Sequence, residues 1–117
     1  MAELISNEKT GDINLVRFSF NEITREQREQ IKRKLQDLMD SGEKKFIIDL
    51  DGVGFVSSLV IATIIFFAKQ VRENGGTIKI SGLSNEAFSI FQLTQLDRIL
   101  ELYETEHDAL ESFKNID

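Results

Sequence analysis

The 117-residue chain contains no cysteine, no proline and no tryptophan, and its single histidine is His107. Without cysteine there is no disulfide, no thiol nucleophile and no thiolate metal ligand, and nothing is learned about redox compartment. One imidazole and no thiolate are too few donors for a transition-metal centre. A Ser-His-acid triad would have to bring His107 to Ser57 or Ser58, and neither serine lies in a G-x-S-x-G elbow. Asp49 and Asp51, at the end of a predicted strand, are expected to point to opposite faces and so to form no carboxylate pair. Asp51-Gly52-Val53-Gly54 lacks the lysine of a Walker loop and reads as a turn. No nucleophile, base and oxyanion stabiliser assemble, so the expectation is a protein that is not an enzyme and uses no cofactor and no metal.

Basic charge is also in short supply. Fourteen Lys and Arg face 20 Asp and Glu, a net charge of −6. An acidic surface repels nucleic acid and anionic membranes and suits a soluble protein that meets protein partners. Met1-Ala2-Glu3-Leu4-Ile5 has neither the basic region nor the apolar core of a secretory signal. The longest apolar run, Leu59 to Ala68, is too short to cross a bilayer. The expected location is the cytoplasm, with no membrane insertion.

A hydrophobic content of 41% and this length fit one globular domain over residues 1–117, and no linker, low-complexity tract or internal repeat interrupts it. Segments around Leu4–Glu8 and Ile13–Phe20, separated by Thr10-Gly11-Asp12, read as a hairpin. Thr24 with Gln27 forms a capping-box pattern, and Ile31, Leu35, Leu38 and Met39 give one apolar helix face that ends at Ser41-Gly42. The charges between them, Arg28 included, read as a solvated face. Phe46–Leu50 is a continuous apolar strand, broken only by Asp49, of the kind covered on both faces.

Ser58–Glu73 is rich in β-branched residues. Its length, its polar C-terminal end and the following Gly75-Gly76 nevertheless predict a helix, on which Phe66 and Phe67 cannot face the same spot. A strand at Thr77–Ile80, a short helix from Ser84, a connector at Gln95–Asp97, a strand at Ile99–Tyr103 and a last helix capped by Thr105 complete the chain. The order β-β-α-β-α-β-α-β-α predicts an α/β fold: a mostly parallel central sheet opened by a β-hairpin, with about four covering helices.

In such sheets functional groups gather at the carboxyl ends of strands, and the loop from Asp51 to Ser58 lies at one. There Phe55-Val56-Ser57-Ser58-Leu59-Val60-Ile61-Ala62 hands a strand over to a helix. A helix start offers free N–H groups and a partial positive charge. Ser57 or Ser58 can be an N-cap, and a phosphate would also be favoured there.

Three stretches together resemble the STAS domain family, and in kind the bacterial anti-sigma factor antagonists. They are Phe46-Ile47-Ile48-Asp49-Leu50 with Val53–Ser58, the apolar helix ending in Glu73-Asn74-Gly75-Gly76, and Phe91-Gln92-Leu93-Thr94-Gln95-Leu96-Asp97-Arg98-Ile99-Leu100, with Ala109-Leu110 in the closing helix from Glu104 to Phe113. In that family a motif of the form D-S-S/T/A-G-L carries a serine phosphorylated by a partner kinase that is also the anti-sigma factor. Here Ser57 takes the aspartate place, Ser58 the phosphoacceptor place and Val60 the glycine place, while Gln95 stands at another usual glycine. The family's G-x-[LI]-D segment has no counterpart in Phe20–Thr24.

The resemblance implies a partner-switching protein in transcription control. It would be phosphorylated on Ser58, or alternatively Ser57, and would bind an anti-sigma factor/serine kinase through Gly54, Phe55, Val56, Ser57, Ser58, Leu59 and Val60, with a phosphatase acting on Ser58. A β-branched Val60 is expected to crowd a partner's backbone. That crowding favours the alternative of a non-phosphorylated STAS subunit in a lipid-transport ATPase or a stressosome-like scaffold. A receiver phosphorylated on aspartate would need an early acidic pair for Mg²⁺, which the opening hairpin does not supply.

Overall fold

A computed structural model describes residues 4–20 and 22–114; Met1–Glu3, Asn21 and the last three residues, and any reading that falls on them, lie outside it. β1 (Ile5–Thr10) and β2 (Ile13–Phe20) form the expected antiparallel hairpin. β3 (Lys45–Val53), β4 (Thr77–Ser81) and β5 (Glu101–Leu102) then add in parallel, so that the five-stranded sheet has the order β1-β2-β3-β4-β5. Each strand lies beside its neighbour in the chain.

That order decides where the helices go. Right-handed crossovers that always step in one direction place every connecting helix on the same face. The three connecting helices are α1 (Arg25–Asp40), α2 (Ser58–Glu73) and α3 (Asn85–Leu93). All three bury their apolar sides in one core with Val16, Phe18, Phe46, Ile48 and Ile80 of the sheet. The opposite face is covered by α4 (Glu106–Lys114), whose Ala109 and Phe113 pack on Ile13, Leu15 and Ile47. β3 is therefore buried on both sides, as its apolar run, broken only by Asp49, required.

α1 starts with the complete capping box between Thr24 and Gln27 and buries Ile31, Leu35 and Met39, with Leu38 half-buried. Arg28 is less solvated than its place among charges implied, because its Nε reaches Thr63 Oγ1 of α2 at 3.3 Å. α2 is helical despite its β-branched residues, since Val60, Thr63, Ile64, Phe67 and Val71 all face the core. Tertiary burial outweighs a propensity penalty of tenths of a kcal/mol per residue. Phe67 meets Phe46 edge-on with centroids 5.1 Å apart. Phe66 turns outward beneath Lys32 Nζ at 4.3 Å.

The expected strand at Ile99–Tyr103 shrinks to Glu101–Leu102. Gln95 adopts a left-handed backbone (φ 62°) and opens a 3-10 helix over Leu96–Arg98, and Ile99 closes that turn, half exposed. Leu96 and Leu100 enter the core from this turn rather than from a strand.

Candidate functional site

The loop between β3 and α2 is fixed at three points. At Gly52 a Cβ would stand 2.6 Å from the Phe18 carbonyl oxygen, so the close approach of β3 to β2 there requires glycine. Gly54 N–H donates to the Phe20 carbonyl. Val56 is buried and plugs the loop into the main core. Between these anchors Phe55 is driven outward and is 64% exposed.

The two serines then divide their roles. Ser57 is the N-cap: its Oγ accepts the Val60 N–H at 3.3 Å and its carbonyl accepts the Ile61 N–H. Ser58 is the first helical residue and is exposed. The register is set by the core, because burying Val60, Ile64, Phe67 and Val71 together leaves Ser58 on the outer side. The first turn of α2 carries no acidic residue, so nothing in it repels an added anion, and the helix end favours one.

Of the seven residues expected to meet a partner, Gly54, Phe55 and Ser58 are exposed, and Ser57 and Leu59 are partly so. Val56 and Val60 are buried and can offer a partner only main chain. The crowding expected of Val60 does not arise, for its side chain is 1% exposed and points into the core. The outer side of α2 continues the surface from Ser58 through Ala62 and Phe66 to Lys69. Phe66, expected only to face another direction from Phe67, lies on that stripe at a spacing of four and eight from Ala62 and Ser58.

On the other face of the sheet lies a polar network at the carboxyl ends of the same strands. Asp49 is buried and accepts a hydrogen bond from Ser81 Oγ at 2.8 Å. Burial pushes its carboxyl up from the ordinary value. Glu106, at the start of α4, takes a fork from Arg17, whose Nε is 2.7 Å from Oε2 and whose second terminal nitrogen is 3.0 Å from Oε1. Arg17 holds the Glu106 carboxyl below its usual value. Asp49 and Asp51 do not point apart: residues two apart on a strand share a face. Both line one depression with Gly82, Glu104, Glu106 and His107. Among the described residues, no group of three or more His, Asp or Glu side chains is placed to hold a metal ion. Nor is any described helix long and apolar enough to cross a membrane.

BtrV of Bordetella bronchiseptica, named as an anti-sigma factor antagonist, is 24% identical over 86 residues, which cover 74% of each chain. An anti-sigma-factor antagonist (STAS) domain protein from Planctomyces limnophilus superposes with a TM-score of 0.81 at 23% identity, covering 95% of this chain and 98% of that one. The phosphorylated form of the Bacillus cell fate determinant SpoIIAA does so with a TM-score of 0.72 at 19% identity, over 93% and 98% of the two chains. The hairpin, the parallel strands stepping in one direction and the isolated closing helix are thus a shared fold. The STAS domain model matches residues 5–109, and the chain belongs to the STAS domain family.

Proposed function

We propose that this protein is a non-enzymatic partner switch of the anti-sigma factor antagonist kind. It binds a serine kinase that doubles as an anti-sigma factor, and phosphorylation of Ser58 releases it. The kinase transfers the γ-phosphoryl group of ATP to Ser58 Oγ, with loss of the hydroxyl proton and departure of ADP, and a phosphatase restores the hydroxyl. The process is cytoplasmic and needs no cofactor held by this chain.

One observation carries this reading. Ser58 is exposed at the first position of α2 while Ser57 supplies the cap, so the hydroxyl at the phosphoacceptor place is spared for chemistry. Ser57 is the poorer acceptor, because its Oγ is half-buried and already engaged by the Val60 N–H, whereas Ser58 is exposed. The contact surface joins Phe55 and Ser58 to the α2 stripe through Phe66. A phosphate would add about −1.5 to −2 charges at its centre. In an apolar interface that charge opposes docking by desolvation, while at a helix N-terminus it leaves the fold intact. The relatives' names as anti-sigma factor antagonists support the same reading. Val60, being buried, gives no steric reason to prefer a non-phosphorylated assembly subunit.

The test is calorimetric titration of wild type, Ser58→Ala and Ser58→Asp against the anti-sigma kinase of the same cells. Ser58→Ala should bind as wild type does, and Ser58→Asp at least tenfold more weakly. Equal affinity of all three would refute the switch.

A further inference from the structure

The surface at the β5 edge of the sheet lies away from the Ser58 stripe and has its own character. A depression of about 420 Å³ is lined by Phe88, Ile99, Leu100 and Leu102 among others. Phe88 also lines a second depression of about 640 Å³, which ends at Glu104 and Thr105. Those two residues belong in turn to a third, of about 380 Å³, lined by Asp51, Glu106 and His107. The three adjoin at Phe88 and at Glu104 and Thr105, and together they form a row, the trough, from the 3-10 turn, past the end of β5, to the carboxyl end of β3.

The trough is apolar at one end and acidic at the other. Phe88 and Ile99 are 38% and 50% exposed. Asp97 and Glu101 edge the apolar end, with Arg98 as the cation among its lining residues. Glu104 and Asp51 are exposed at the other end. Glu106 is already bound to Arg17, and Glu101 to Lys79 and Tyr103, so Asp97, Glu104 and Asp51 carry the acidic character. β5 also has an open side. Tyr103 N–H donates to the Ile80 carbonyl, so the strand's alternation turns the N–H and C=O of Leu102 away from β4, toward the trough. An open edge beside an apolar groove is the arrangement that accepts an added strand, with backbone bonds giving affinity and side-chain pockets giving selectivity.

We infer that this trough binds an extended segment of a protein partner in which apolar residues are followed by lysine or arginine. The charge balance of the lining selects the basic residues, and the free edge of Leu102 selects the extended backbone. The inference does not depend on phosphorylation of Ser58. α2 separates the apolar end of the trough from Ser58, which opens this 16-residue helix, whereas Arg72 near its end bonds the Ile99 carbonyl; the acidic end, at Asp51, lies on the α4 face of the sheet, opposite α2.

The test uses a fluorescein-labelled ten-residue peptide with alternating valines at one end and lysines at the other, and a twin with glutamate for lysine. Binding to the full chain is read by fluorescence anisotropy, and the bound residues are mapped by amide chemical shifts. The basic peptide should bind at least tenfold more tightly than its twin and shift the Leu102, Glu104 and Ile99 amides. Glu104→Lys and Ile99→Asp should each weaken it fivefold or more with unchanged circular dichroism, while Phe66→Asp on the α2 stripe should not. Absence of binding, equal binding of both peptides, or shifts centred on Phe55 and Phe66 would overturn the inference. So would self-association abolished by Glu104→Lys, which would make a second copy the occupant. Because Ser58→Asp should leave peptide binding unchanged, failure of this inference and failure of the switch are separately visible.

Discussion

Ser57 and Ser58 differ by one residue and by one hydrogen bond, and that difference has a measurable size. Replacing Ser57 by alanine removes the acceptor for the Val60 N–H in a half-buried position. Loss of a serine N-cap costs about 0.5–2 kcal/mol. The bond is long, at 3.3 Å, which places the expected loss near the lower half of that range, about 1 kcal/mol. For a domain of this size, 1 kcal/mol lowers Tm by ~4 °C. Ser58→Ala removes an exposed hydroxyl from the first helical position and should change stability by less than ~0.5 kcal/mol. Ser58→Asp places a negative charge at the positive end of α2 and should stabilise by about 0.3–1 kcal/mol at low salt. Urea denaturation and calorimetry of the three variants give the ranking directly. If Ser58→Ala loses as much as Ser57→Ala, or Ser58→Asp destabilises by more than ~1 kcal/mol, then Ser58 is a structural cap and the division of roles is wrong.

Three further outcomes follow from the packing. Lys79 is 1% exposed, with Nζ 2.6 Å from Ser112 Oγ and 4.2 Å from the centre of the Phe113 ring. Lys79→Met keeps the stem and removes the desolvated charge, so its stability should equal or exceed that of wild type, whereas Lys79→Ala should lose about 3 kcal/mol by leaving a cavity under α4; chemical denaturation separates them. Gln95→Gly should raise stability by up to ~1 kcal/mol in the same assay, because a side chain at φ 62° is disfavoured and the turn is otherwise kept. The third outcome concerns pH. Asp49 is raised above its ordinary 3.8, so its favourable share is complete below that value and fades as pH climbs through the raised one. Glu106 is lowered from 4.5 and behaves oppositely, contributing above that value and losing its share in acid. Asp49→Asn can still accept from Ser81, and should be more stable than wild type near neutrality and remove the decline above 3.8, as read from denaturation midpoints across the pH range.

The fold was legible because each element carries its own signal. The capping box at Thr24, the apolar run of β3 and the Gly75-Gly76 stop belong to local chemistry that tertiary packing did not overrule. The readings that failed all depended on direction. Ile99 and Leu100 look like strand residues, but a left-handed Gln95 starts a tight turn that delivers Leu100 to the core by another path. Two adjacent serines are equally good caps by composition, and the helix register that chose Ser57 is set by Val60, Ile64 and Phe67 against the sheet. The bulk of Val60 predicts crowding of a partner, but its orientation into the core removes it from the surface. Lys79 gave no local warning, since a lysine between Ile78 and Ile80 is buried here only because α4 and Tyr103 close over it.

The one-directional order of the strands has a kinetic consequence. Every parallel pairing closes a single crossover, between β2 and β3, β3 and β4, or β4 and β5, and the antiparallel pair closes a tight turn. No strand waits for a partner from beyond the next crossover, so the entropy of loop closure is met one crossover at a time. With no proline in the chain, no slow X-Pro isomerisation intervenes. The sheet can grow from the hairpin outward in the direction of synthesis, each new strand finding its template already formed. α4 packs against strands from both the beginning and the middle of the chain, so its docking needs β2 and β3 already paired.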